Sequence, residues 1–211
     1  MKIAFIGAGN VGAALADRFA RTGHQVTLAQ GREGSESVAK ALARNPSLVA
    51  RPIEAAVDAA EVVCLATPFQ AVAGIVKELG SRLAGKILVD CTNPVGPGLS
   101  HGLESKRSGT QVIQELAPDA RVIKAFTIYG YENLENPAFP AYNVKPTMMF
   151  CGDDPQAKQQ VARLIEDTGF APLDVGGLAQ ALHLEHMTLL WVRLVRVDKH
   201  SPHLVWAALE R

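Results

Sequence analysis

The chain has 211 residues, 48% of them hydrophobic, enough for one large domain or one domain with a small appendage. Lys plus Arg and Asp plus Glu each number 21, so no net charge steers it toward nucleic acid or an anionic membrane. No apolar run approaches the roughly 20 residues of a membrane span. The sequence opens directly on a strand, leaving no room for a signal peptide, and Cys64, Cys91 and Cys151 form neither a CxxC pair nor an even set; the expectation is a cytoplasmic protein with reduced, buried thiols.

The first stretch sets the frame. An apolar strand, Lys2 to Ile6, runs into Gly7-Ala8-Gly9-Asn10-Val11-Gly12, which opens a helix with Val11, Ala14, Leu15 and Phe19 on its apolar face; a second strand, Gln25 to Ala29, follows Gly23. Strand, glycine loop, helix, strand is the order of a dinucleotide-binding βαβ unit. Gly7 permits the tight turn, Gly9 lets the backbone approach a pyrophosphate, and Gly12 lets the helix pack close to the strand. The helix N-terminus adds unpaired N–H donors and a partial positive charge, which makes Ala8, Asn10 and Val11 loop candidates beside the glycines. The alternative is a Rossmann-like turn without a ligand.

The end of the second strand selects the cofactor. NAD-preferring units carry an Asp or Glu about 20 residues past the glycines, on the ribose 2′-OH. Here Leu28-Ala29-Gln30-Gly31-Arg32 holds no acid. Arg32 can pair with a 2′-phosphate and lie over the adenine, Gly31 leaves room, and Ser35 and Ser37 offer hydroxyls. The reading is NADP(H) rather than NAD(H). Arg32 as an exposed loop arginine, and Ser35 as a simple helix cap, are the bland alternatives.

Further along, a helix is predicted over Ser35 to Arg44, stopped by Asn45-Pro46, then a short strand at Leu48-Val49-Ala50 and a helix from Ile53 to Ala60. Glu61 to Ala66 is a near-continuous apolar run, as in a parallel strand covered on both faces. Thr67-Pro68 leads into a helix through Val72, Ile75, Val76 and Leu79; Ile87 to Asp90 is a fifth strand; Cys91 to Gly98 is a loop of turn formers; Ser108 to Leu116 is a helix; Arg121 to Phe126 is a sixth strand. This alternation predicts an α/β, Rossmann-type, doubly wound and mostly parallel sheet over residues 1–127. Residues 128–211 read as a small C-terminal α/β extension packed on the same domain. It comprises a long loop from Tyr129 to Thr147, a strand at Met148 to Cys151, and a helix to Thr168 with Asp154 as N-cap and Pro155 in its first position. A strand from Phe170 to Val175 follows, and then a long apolar helix from Leu178 to Val197, placed at a dimer interface.

In an open α/β sheet, ligands bind beyond the carboxyl ends of the strands. Three such ends are Ala66-Thr67-Pro68, Cys91-Thr92-Asn93-Pro94 and Ala125-Phe126-Thr127, from which Ala66, Thr67, Pro68, Thr92, Asn93, Pro94, Ala125 and Phe126 are candidate cofactor contacts. The competing reading is a helix start at Thr67-Pro68 and a turn at Asn93-Pro94. No acid–base constellation stands out and no catalytic residue is assigned. Lys124 follows apolar residues and could face a site, but a lone lysine near a strand end is more often a surface residue; His24, His200 and His203 read as loop or surface residues. His183 and His186 flank Glu185 without a third ligand and do not match HExxH, so they read as structural or substrate-lining, with no metal expected. The absence of an acid–base pair fits hydride transfer between two redox cofactors, where positioning two rings does most of the work.

With these residues in view, the chain resembles the NADP oxidoreductases dependent on the deazaflavin coenzyme F420, and the related reductase domain of a group of metalloreductases. The resemblance is carried by Met1 to Gly12, Gly31-Arg32, Ala66-Thr67-Pro68-Phe69, Asp90-Cys91-Thr92-Asn93-Pro94, Lys124-Ala125-Phe126, Cys151-Gly152-Asp153-Asp154, and Pro172 to Leu178 with the helix after it. It implies hydride transfer between NADPH and a deazaflavin (F420) or flavin co-substrate stacked on the nicotinamide, and a homodimer in which the C-terminal helix packs across a two-fold axis. Ala125-Phe126-Thr127-Ile128-Tyr129-Gly130 departs from the family's usual run, which has an asparagine after the phenylalanine, and the loop with Tyr131, Phe139 and Tyr142 is individual. Two other readings stay open: an NADPH-dependent reductase of a small carbonyl or imine, for which few residues remain after the sixth strand and its loop, and a non-catalytic NADP(H)-binding redox sensor. Arg32→Ala is expected to weaken NADPH binding about 10- to 150-fold, a charge-assisted hydrogen bond of about 1.5–3 kcal/mol, while NADH binding barely changes. Titration calorimetry with both cofactors checks this; equal losses would remove Arg32 from the 2′-phosphate.

Overall fold

Eight strands align in one sheet: β1 (Lys2–Ile6), β2 (Gln25–Gln30), β3 (Val49–Pro52), β4 (Val62–Leu65), β5 (Ile87–Asp90), β6 (Arg121–Lys124), β7 (Thr147–Gly152) and β8 (Ala171–Asp174). Their order is β3-β2-β1-β4-β5-β6-β7-β8. The structure is a computed structural model that describes residues 1–31 and 34–211, so Arg32 lies outside the described residues. Strands β1 to β6 are mutually parallel, β7 runs antiparallel to β6, and β8 runs parallel to β7. The chain turns outward from β1 in both directions, to β2 on one side and β4 on the other, which makes β1/β4 the topological switch point.

The apolar runs read as strands because both faces of the sheet are covered. Successive side chains of a strand point to opposite faces. In β1, Ile3 and Phe5 enter one core layer and Ala4 and Ile6 the other; in β4, Val62 and Cys64 divide from Val63 and Leu65 in the same way. The first layer is filled by α1 (Asn10–Arg21), α2 (Glu36–Arg44), α7 (Pro155–Asp167) and α8 (Ala181–Val192), through Leu15, Phe19, Val38, Leu164, Leu184 and Trp191. The second is filled by α3 (Ile53–Ala59), α4 (Phe69–Leu79) and α5 (Gly109–Leu116), through Val57, Val72, Val76 and Ile113. Ser108 closes a capping box on α5 with Gln111, and Asp154 accepts from the Ala157 N–H at the start of α7. Both edge strands contain a proline, Pro52 in β3 and Pro172 in β8.

The C-terminal part differs from expectation. The predicted long helix from Leu178 to Val197 divides into a 3-10 turn (Leu178–Gln180), the twelve-residue α8, and a π-turn (Arg193–Val197). Its composition is apolar, but Glu185 and Thr188 face inward while Leu190 is exposed, so it is not a uniformly apolar rod. The chain ends instead in an irregular segment that docks back on β7: the Thr147 N–H donates to the Trp206 carbonyl at 2.8 Å, and the Trp206 N–H donates to Tyr129 Oη at 3.0 Å. The loop from Tyr129 to Thr147 carries a short helix, α6 (Tyr131–Glu135), packed against α1. Among the described residues, no helix is long and apolar enough to cross a membrane. Phe19 anchors the first layer, with its ring 5.8 Å from Phe5 and 5.7 Å edge-on to Phe126. Phe19→Ala is expected to cost about 3–5 kcal/mol of stability, read from the shift of a urea unfolding midpoint.

Candidate dinucleotide site at the carboxyl edge

The glycine turn after β1 is built by close contacts. Gly7 has φ +103°, and a Cβ there would lie 2.6 Å from the Ala66 carbonyl oxygen; a Cβ on Gly12 would lie 2.0 Å from the Gly7 carbonyl oxygen. These two glycines are requirements of the fold, since they let α1 meet β1 and the loop after β4. Gly9 differs: it is exposed, has extended backbone, and a Cβ there would meet nothing within 4 Å. It is the N-cap of α1 and no side chain caps the helix. The first N–H groups of α1 are therefore available to an anion. A cleft of about 320 Å3 opens between this turn and α2, lined by Gly9, Asn10, Ser37, Lys40 and Arg44. Ser35 is the N-cap of α2, but its hydroxyl pairs with Ser37 Oγ at 3.1 Å rather than with the helix backbone.

The predicted loops after β4, β5 and β6 do lie side by side. Each holds one buried side-chain oxygen without a hydrogen-bond partner: Thr67 Oγ1, Asn93 Oδ1 and Thr127 Oγ1. A buried polar atom left unpaired costs about 1–3 kcal/mol, which a polar ligand atom at this edge would offset; Arg18 Nε, Glu132 Oε2, Asn133 Oδ1 and Trp206 Nε1 are unpaired elsewhere in the fold. Thr67 is not the helix cap that the sequence suggested; Pro68 is, and the Thr67 methyl sits against Gly7. Ala66 is half-buried beside the same turn, and Pro94 is buried, its carbonyl accepting from the Gly102 N–H. Thr92 is occupied: its hydroxyl and N–H both donate to Asp90 Oδ1, at 2.7 and 2.8 Å. Phe126 turns its ring into the core against Phe19, and Ala125 is wholly buried, so these two can present only backbone to a ligand. Phe126 holds φ +60°, a left-handed conformation costing about 1–2 kcal/mol in a non-glycine residue. Thr127, which the sequence reading left out of its candidate set, supplies the orphaned oxygen instead.

Beneath this row lies a buried ionic cluster that sequence reasoning missed. Lys124, at the end of β6, is not a surface residue but fully buried. Its Nζ donates to Asp90 Oδ2 at 3.0 Å, to the Thr92 carbonyl at 2.5 Å and to Glu185 Oε1 at 3.2 Å. Asp90 Oδ2 also accepts from Thr110 Oγ1 at 2.7 Å, and Glu185 Oε1 from the Gly109 N–H at 2.9 Å. His101 returns to the cluster through a tight turn whose only bridge is Val95 to His101, and its Nε2 lies 2.7 Å from Glu185 Oε2. Its Nδ1 accepts from the Leu103 and Ser105 N–H groups, which leaves the proton on Nε2 and makes the ring a neutral donor. Burial pushes the Lys124 ammonium down, but the charges of Asp90 and Glu185 and their hydrogen bonds outweigh it and hold it above the ordinary lysine value. A raised folded-state value means that this contribution to stability is intact below about pH 10.4 and is lost only as pH rises through the folded-state value.

The other titratable candidates play lesser parts. His186 is exposed, 3.0 Å from Ser105 Oγ, and His183 is exposed. His24 bridges the N-terminus and Asp167. Among the described residues no group of three or more His, Cys, Asp or Glu side chains is placed to hold a metal. The three cysteines are buried and unpaired in disulfides. A hydrogen bond with Cys64 and then burial raise the Cys91 thiol, and burial pushes Cys151 up to about 12, so neither is a thiolate at neutral pH.

This fold and its switch-point cleft place the chain in the Rossmann class of dinucleotide-binding proteins. Residues 2–94 match the family model described as NADP oxidoreductase, coenzyme F420-dependent. The chain is 28% identical over 213 residues to an F420-dependent NADP reductase of Methanocaldococcus jannaschii, covering 92% of each. It is 31% identical over 189 residues to metalloreductase STEAP3 of Rattus norvegicus, covering 89% of this chain but 36% of that one, so it spans about a third of that relative's length. A crystal structure from Arthrobacter sp. FB24, provisionally assigned as an F420-dependent NADP reductase, superposes with a TM-score of 0.83 at 27% identity, covering 94% of this chain and 95% of the other. Over residues 2–94 the chain is similar to this family of NADP oxidoreductases.

Gly9→Val is expected to abolish binding of NADPH and NADH alike while leaving the thermal unfolding midpoint close to wild type, because the valine fills ligand space rather than protein space. Gly12→Val, by contrast, is expected to yield unfolded protein. Retained cofactor binding in the Gly9 variant would take the pyrophosphate off this turn.

Proposed function

We propose that this protein transfers a hydride between NADPH and a deazaflavin (F420) or flavin-type acceptor. The observation that carries the reading is the row of orphaned oxygens at Thr67, Asn93 and Thr127, continuing from the open helix N-terminus at Gly9. In this reading the N–H groups at the start of α1 take the pyrophosphate, and Gly31, Arg32 and Ser35 take the 2′-phosphate end. Thr67, Asn93 and Thr127 meet the ribose and carboxamide of the nicotinamide end, with Ala66, Pro68 and Pro94 shaping its walls. Hydride chemistry is the cofactor's own, at the nicotinamide ring. The chain's contribution is orientation, and no side chain needs to move a proton to or from carbon, which agrees with Asp90, Lys124, Glu185 and His101 being paired with one another beneath the carboxyl edge. The family match and the relative from Methanocaldococcus jannaschii favour F420 as acceptor.

The test is absorbance at the NADPH band with NADPH and NADH each offered F420, FMN, FAD and ferric chelates. NADPH oxidation by F420 or a flavin, with NADH much slower, is the expected result. Tight NADPH binding with no oxidation by any of these acceptors would overturn the reading and favour a small-substrate reductase or a sensor.

A further inference from the structure

The cluster around Lys124 touches the candidate site at one point. Lys124 Nζ is bonded to the Thr92 carbonyl at 2.5 Å, while Asp90 Oδ1 takes the Thr92 N–H and hydroxyl. The peptide between Thr92 and Asn93 is therefore gripped on its carbonyl side by the lysine, and the residue before it is tied down by the aspartate. The next side chain is Asn93, whose Oδ1 is one of the orphaned oxygens. Asp90 and Lys124 face each other across neighbouring strands, and Glu185 comes from α8. These residues hold the backbone that carries Asn93, and Lys124 and Asp90 are themselves fully buried beneath it.

We propose that Lys124, held between Asp90 and Glu185, is a positioning residue that sets the aim of Asn93 at the nicotinamide end of the dinucleotide. The proposal rests on the NADP(H) reading above. It is specific to one end of the ligand: the pyrophosphate turn and the 2′-phosphate end belong to β1, α1 and α2, which the cluster does not touch. A ligand lacking both the nicotinamide and its ribose should therefore be indifferent to Lys124.

Titration calorimetry of wild type, Lys124→Met and Asn93→Ala with two ligands tests it: NADPH, and adenosine 2′,5′-bisphosphate, its 2′-phosphate end without the nicotinamide or the ribose that carries it. Lys124→Met is expected to weaken NADPH about 3- to 10-fold, the worth of one hydrogen bond, and to leave the fragment within about twofold of wild type. Asn93→Ala should behave alike, and the double variant Lys124→Met/Asn93→Ala should lose little beyond Asn93→Ala alone, because the lysine acts through the asparagine. If Lys124→Met does not fold, Lys124→Met/Glu185→Gln removes one positive and one negative charge together and answers the same question. Equal losses for both ligands, or additive losses in the double variant, overturn the positioning role while leaving the NADP(H) reading intact. Failure of wild type to bind either ligand removes both.

Discussion

One ammonium group kept out of water ties the carboxyl edge together. Lys124 joins the ends of β5 and β6 to α8 through oxygens from Asp90, Thr92 and Glu185. Taking such charges out of water costs several kcal/mol each, and only good geometry with every remaining proton and lone pair engaged offsets it. Here the engagement is extensive: Thr110, Thr92, Gly109 and His101 all bond the two carboxylates. An arrangement of that kind has one low-energy geometry, and a loop attached to it inherits that rigidity. The polar loops above the cluster are thus borne on strand ends that cannot slide past one another.

The glycine turn imposes a second constraint of a different nature. Gly7 and Gly12 are needed for contact, at 2.6 Å and 2.0 Å from backbone oxygens were a Cβ present, while Gly9 faces open space. Within one six-residue loop, two glycines that the fold requires thus flank one that it does not. Because the same turn packs against Ala66 and Thr67, the helix N-terminus and the loop after β4 keep a fixed spacing.

What the sequence made legible was local. The glycine turn, the succession of strands and helices along the chain through β6, the cap at Asp154 and the three strand-end loops follow from neighbours a few positions apart. What it hid was long-range. Asp90 and Lys124 are 34 positions apart, Lys124 and Glu185 are 61, and His101 and Glu185 are 84, so nothing near Lys124 in sequence announces a partner. Lysine at a strand end is ordinarily exposed, and only the convergence of three elements reverses that. Phe126 hides a related feature: its backbone is left-handed and its ring lies in the core against Phe19, so at this strand end the unpartnered side-chain oxygen is that of Thr127. The C-terminal helix was overextended because apolar content does not distinguish one long rod from a twelve-residue helix between two turns of different pitch.

The margins of the sheet carry their own consequence. Both outermost strands are four residues long and each contains a proline, which cannot donate to a ladder. Short, proline-bearing borders give another chain no continuous row of donors to extend. The sheet is thus closed to growth by strand addition at either end, despite being open in topology. Such borders favour assembly through helices and loops, where recognition is by side-chain shape rather than by backbone pairing.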